Sequence, residues 1–137
     1  MTSAVTLIRS SALAPAPYAA AATAPAGARL IFLAGSCPLE DDGSTTAPGD
    51  YATQAGRCVD TLTLALEAAG AALADVISTR VLVASTRQED LVAAWDVIHA
   101  AFGPHEVPST LLGVTVLGYD DQLVEIEAVA AVVEDAR

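Results

Sequence analysis

The segment Leu123 to Val133 sets the tightest limit on what this chain can fold into. Alternate residues of a strand point to opposite faces. Val124, Ile126, Ala128 and Ala130 therefore share one face, and Glu125, Glu127, Val129 and Ala131 share the other. The first set is a core face. The second begins with two carboxylates and ends apolar, because Val129 and Ala131 are poorly suited to open water. A strand of this kind needs cover on both sides.

Helices are available to cover one face. Ala55, Val59, Leu62, Leu66 and Ala69 recur at steps of four and three, the stripe of an amphipathic helix. Asp50 stands where its N-cap belongs, and Gly70 where a left-handed C-terminal cap belongs. A second helix is predicted to bury Leu91, Trp95, Ile98 and Phe102. Two overlapping capping boxes in Ser85 to Glu89 would start it, and Gly103-Pro104 would stop it. Val5 to Ile8, Tyr18 to Thr23, Leu30 to Leu33 (a buried run), Val76 to Val83 and Thr110 to Leu117 read as further strands. Asp41 to Asp50 reads as a loop. The order is β-β-β-α-β-α-β-β over a single domain, residues 1–137. Two helices and one sheet make an α+β sandwich of two layers. The helix-free face is then open, and a symmetric oligomer is the simplest cover. Glu125 and Glu127 would lie at or near that interface.

Composition narrows the partners. Hydrophobic residues make up 53% of the 137 residues, and net charge is -11. The basic residues are Arg9, Arg29, Arg57, Arg80, Arg87 and Arg137, scattered through the chain. They form no stripe to neutralise phosphates, which argues against nucleic acid and anionic membrane as partners. The two cysteines, Cys37 and Cys58, fit no metal or redox spacing. No signal-peptide pattern opens the chain, so a cytoplasmic location is expected. His99 and His105 stand isolated in the sequence, without an arguable Ser or Cys partner for a nucleophilic triad.

Four segments, in order, resemble the YjgF/RidA family. They are Ala16-Pro17-Tyr18-Ala19-Ala20-Ala21, Leu33-Ala34-Gly35-Ser36-Cys37-Pro38, Gln54-Ala55 through Glu67-Ala68-Ala69-Gly70, and Val124-Glu125-Ile126-Glu127-Ala128-Val129-Ala130. The resemblance implies a chorismate-mutase-like fold with a mixed sheet and two helices on one face. It also implies a homotrimer with small-molecule clefts between subunits, and no metal or organic cofactor. The best-known branch hydrolyses imines or enamines such as 2-aminoacrylate.

The resemblance also carries residues. Tyr18 falls on a cleft-lining tyrosine, Gly35 on a glycine whose backbone faces ligand, and Glu125 on a glutamate that orients or activates water. In the family's Pro-Ala-Arg-Ser/Thr, the arginine forks onto the substrate carboxylate. Counting back from Leu117, Ser109 takes its place here, with its side chain expected to face Tyr18 and Glu125. Leu111 would share that strand face, and Trp95 would stand where the imine-hydrolysing branch has a cleft asparagine. A serine offers one neutral hydroxyl where arginine offers a charged fork. Losing such a partner costs about 2–5 kcal/mol of binding, unless Arg80, Arg87 or His105 reaches the cleft instead. Efficient 2-aminoacrylate hydrolysis is therefore not expected. Three functions stay open: an enzyme acting on an imine, enamine or related intermediate without an α-carboxylate, with Glu125 as general base; a non-catalytic trimeric binding protein; and a lyase, isomerase or cyclase-like tailoring enzyme.

Overall fold

The computed structural model describes residues 3–134. Its elements are β1 (Thr6–Ile8), β2 (Ala21–Thr23), β3 (Arg29–Phe32), α1 (Tyr51–Ala68), a 3-10 turn (Leu73–Asp75), β4 (Val76–Ala84), α2 (Gln88–Phe102), β5 (Ser109–Val114) and β6 (Val124–Val132). β1 and β2 form a separate hairpin. The main sheet runs β3-β6-β4-β5. Only β4 and β5 are parallel, joined by the α2 crossover, so the sheet is mixed. α1 packs on β6 and on α2, and α2 packs on β4 and β5. This is the two-layer α+β arrangement anticipated from the helix stripes.

The local reasons are visible at the helix ends. The Asp50 carboxylate accepts the Thr53 backbone N–H at 3.0 Å, satisfying a donor that the first turn leaves unpaired. Gly70 closes α1 in the left-handed region, at φ 79°. Along α1, Ala55, Val59, Leu62 and Leu66 are buried against Val81, Val83, Val124, Ile126 and Ala130. Truncating Leu62 or Leu66 to alanine would cost about 2–5 kcal/mol, since both are fully enclosed.

Four details differ from the sequence reading. Arg87, not a serine or threonine, is the N-cap residue of α2, and neither capping box forms. Ser85 instead accepts the Arg87 N–H and donates to the Asp90 carboxylate, because the Gln88 position falls inside the helix. β5 ends at Val114, short of Leu117. β3 is not a buried run: Ile31 alone enters the core, while Leu30 is 52% and Phe32 76% exposed. Both pair across the sheet with Ala131 and Val129 of β6, on the face without helices. Lastly, Ala131 is fully buried within one chain. The open apolar surface of this face is therefore carried by Leu30, Phe32 and Val129.

Candidate functional site

The sequence-predicted site residues fall into two clusters. The first lies along β5, the outer strand of the sheet. Pro17, Tyr18, Trp95, Ser109, Thr110 and Leu111 line an open groove of about 610 Å³ there. Trp95 comes from α2, and Tyr18 from the extended segment that Pro15 and Pro17 keep out of helix. The two rings meet edge to face, with centroids 6.3 Å apart. The imidazole of His99, one helical turn beyond Trp95, stacks on the indole at 5.7 Å. Its Nε2–H donates to Glu106 at 2.8 Å, and Glu106 also takes the Arg9 guanidinium at 2.5 Å. Arg9 in turn donates to the backbone carbonyls of Ala16 and Tyr18. His99 is thus not isolated; the fold brings it a partner seven residues away across the Gly103-Pro104 turn.

The second cluster surrounds Glu125. A bridge between Ser36 and Ile126, with hydrogen bonds of 2.7 and 3.1 Å, lays the Gly35–Cys37 segment beside β6. The Cys37 thiol donates to Glu125 Oε1 at 3.3 Å. The Gln122 amide, 4% exposed, donates to the same oxygen at 3.1 Å. Glu125 Oε2 lies over Gly35, where a Cβ would stand only 2.2 Å from it. Glycine is required here by close approach, since any side chain would displace the carboxylate. Among the described residues, no hydrogen bond reaches Oε2. Burial, the hydrogen bond to Glu125 and its negative charge push the Cys37 thiol up to about 11, so it stays protonated and donates. Cys58, deep in the core, is pushed up further by burial.

Ser109 and Glu125 do not meet. Ser109 pairs in register with Thr79, whose hydroxyl donates to it at 2.7 Å, and Thr79 belongs to the helix-covered face with Val81 and Val83. Leu111 and Gly113 follow Ser109 on that face; a Cβ on Gly113 would touch Leu91 of α2. The expectation that Ser109 points toward Glu125 fails because strand alternation turns it the other way. The β5 residue that shares the face of Glu125 is Thr110, in a row with Arg80 and Glu127. Thr110 is also an uncharged hydroxyl, so β5 presents no cation on either face. Arg80 faces Glu127 at 3.6 Å. Arg87 pairs with Glu89 beside it in sequence. His105 donates from Nε2 to the Val76 carbonyl at 2.7 Å and stacks on Phe102, and it does not line the groove. Glu125 sits two strands from β5, roughly 10 Å across the sheet.

Sequence reasoning did not single out Gln122, Glu106 or Arg9. The turn-forming Tyr119-Asp120-Asp121 before Gln122 is the one local hint, since a turn there must aim the next side chain back at β6. Among the described residues, no group of three or more His, Cys, Asp or Glu could hold a metal ion.

The profile of the family described as Endoribonuclease L-PSP matches residues 9–132. The chain belongs to this family, the YjgF/RidA family. A conserved Rid-family protein from Yersinia pestis is 26% identical, with a TM-score of 0.83, covering 94% of this chain and 99% of that one. A YjgF/YER057c/UK114-family protein from Mycobacterium tuberculosis is 29% identical, with a TM-score of 0.63 over 93% of this chain and 99% of the other. RidA from an Antarctic Psychrobacter, at 19% identity and a TM-score of 0.68 over 88% and 92% of the two chains, shares the fold. No curated protein matches the sequence. A small-molecule, enzyme-like role fits YjgF/RidA membership. No helix among the described residues is long and apolar enough to cross a membrane.

Proposed function

We propose that this YjgF/RidA-family chain is a cytoplasmic homotrimeric enzyme that hydrolyses an imine or enamine-type intermediate lacking an α-carboxylate. The observation that carries this reading is the setting of Glu125. Two donors hold Oε1, and Oε2 lies against the Gly35 backbone with no hydrogen-bond donor on it among the described residues. That suits a general base. Glu125 takes a proton from water as the water oxygen adds to the imine carbon, and passes it to the nitrogen to give a neutral carbinolamine. Glu125 then takes the carbinolamine hydroxyl proton as the carbonyl forms and delivers it to the departing nitrogen, which leaves as ammonia. Imine and water give carbonyl and ammonia, in balance.

Charge supports the substrate class. All five arginines among the described residues already face carboxylates: Arg9 with Glu106, Arg29 with Glu134, Arg57 with Glu40 and Asp41, Arg80 with Glu127, and Arg87 with Glu89. None is left over for an anionic substrate, and the same fact argues against cleavage of RNA. The exposed Leu30 and Phe32 support a second chain over the helix-free face. In that assembly the β5 groove of one copy and the Glu125 cluster of its neighbour close one cleft. The test supplies an arylalkyl imine, made in situ by an amine oxidase, beside 2-aminoacrylate. Wild type should accelerate ammonia release from the first far more than from the second. Glu125→Gln should lower that rate by about 10²–10⁴-fold. Equal rates for wild type and Glu125→Gln would remove Glu125 as the base.

A further inference from the structure

We infer that the β5 groove is a subsite for an uncharged planar ring, and that the Arg9–Glu106–His99 chain is the brace that holds its two aromatic walls. The inference rests on the small-molecule reading above, and it names the chemical class that the cleft takes.

The walls determine the class. Tyr18, Trp95, Pro17 and Leu111 are ring or aliphatic surfaces, and the polar groups at the groove are the hydroxyls of Tyr18, Ser109 and Thr110. Ser109 is already engaged by Thr79. No arginine or histidine lines the groove. Once a neighbouring chain covers the groove, a carboxylate placed there would lose its water with no cation lining the groove to meet it, whereas a ring gains contact area and edge-to-face geometry. Half-exposed Tyr18 and partly buried Trp95 would each gain cover from such a ligand.

The brace ties both walls to one carboxylate. Glu106 holds His99, whose ring lies 15° from parallel with the Trp95 indole and so limits its tilt. The same carboxylate holds Arg9, and Arg9 grips the carbonyls of Ala16 and Tyr18 on either side of Pro17. The backbone of Glu106 joins in, its carbonyl accepting the Ala19 N–H at 2.8 Å. None of these three side chains lines the groove, so they are positioning residues. Removing Glu106 loosens both walls together. Its side chain is linked to both walls, through His99 to Trp95 and through Arg9 to the Tyr18 carbonyl.

The protein has a single tryptophan, so its fluorescence reports this wall alone. The purified full-length oligomer is titrated with benzamide, benzoate and cyclohexanecarboxamide, with calorimetry in parallel. The expected result is saturable binding of benzamide at a concentration at least about tenfold below that for either of the others, a factor set by burying an unpaired charge or losing ring contact. Trp95→Phe should retain benzamide binding and Trp95→Leu should lose it, which separates a ring from mere bulk. Glu106→Gln should weaken benzamide several-fold, with the oligomer and its melting temperature nearly unchanged. Benzoate binding as well as benzamide, no saturable binding of either aryl probe, or Trp95→Leu binding like wild type would overturn the subsite. Unchanged affinity in Glu106→Gln would overturn the brace. Because these are binding measurements, aryl selectivity without imine turnover would sink the proposed reaction and leave the subsite standing. Turnover without aryl selectivity would do the reverse.

Discussion

The two clusters of this molecule are held in opposite ways. Around Glu125, two directed hydrogen bonds from partly or fully buried groups, a thiol and an amide, hold one oxygen, and a glycine makes room for the other. Around Trp95 and Tyr18, the walls meet by stacking, and the only directed bonds sit behind them in a partly exposed ionic chain. The first arrangement fixes one atom. The second fixes the orientation of surfaces while leaving a groove open. A reacting oxygen must be placed to within a fraction of an ångström, whereas a ring tolerates some sliding.

The stiffness of the Glu125 side should be breakable from a distance. Gln54 is fully buried in α1. Its amide donates to the carbonyls of Ala47 and Asp121, both residues with left-handed φ, and its oxygen accepts the Leu123 N–H at 2.8 Å. It thereby pins the turn that carries Gln122. Gln54→Leu leaves the Asp121 carbonyl and the Leu123 N–H unpaired, while the Ala47 carbonyl keeps the Asp50 N–H, and should cost about 1–3 kcal/mol in urea unfolding. It should also cut Glu125-dependent turnover while sparing aryl binding. Equal losses at both clusters would mean that they are not mechanically separate.

A second effect, smaller and confined to one cluster, is read from Cys37. Its folded-state pKa is raised from 9.0 to about 11. The thiol's contribution to stability is thus fully present below pH 9 and is lost as pH rises from 9 toward 11. Cys37→Ser should flatten part of the stability decline in that window. In Glu125→Gln, the thiol loses its negative neighbour, so iodoacetamide should modify it faster at pH 8 than in wild type. An unchanged alkylation rate would show that the carboxylate does not face the thiol in solution.

The smallest effect belongs to the row between the clusters. Arg80 and Glu127 are each about half exposed and 3.6 Å apart. A double-mutant cycle should give less than about 1 kcal/mol of coupling. A larger value would place the pair under cover, as a neighbouring subunit could provide.

What the sequence made legible follows from periodicity. The α1 stripe, Asp50, Gly70 and the alternation of β6 were enough for the element order and the two layers, because each is a local consequence of backbone geometry. Exposure of β3 was not legible, since Leu30 and Phe32 look like core until one knows that no helix covers their face. The site was legible only by resemblance, and the expected direction of the Ser109 side chain toward Glu125 does not hold. Strand alternation puts neighbouring residues on opposite faces, which is why Thr110, not Ser109, shares a surface with Glu125. Long-range partners such as Glu106 for His99, or Gln122 for Glu125, depend on turns whose geometry the residue types only hint at.

The central claim is that the groove of one chain and the Glu125 of another make a single cleft. Light scattering should first give about three times the 13.9 kDa chain mass. Trp95→Leu and Glu125→Gln chains, each inactive alone on an aryl imine, are then unfolded, mixed in equal amounts and refolded together. If each cleft draws one wall from each neighbour, random mixing restores about one quarter of the clefts, and with them about one quarter of wild-type turnover. Turnover no greater than the sum of the two parent variants, in mixed trimers verified by mass, would show that groove and carboxylate act within one chain or not together at all.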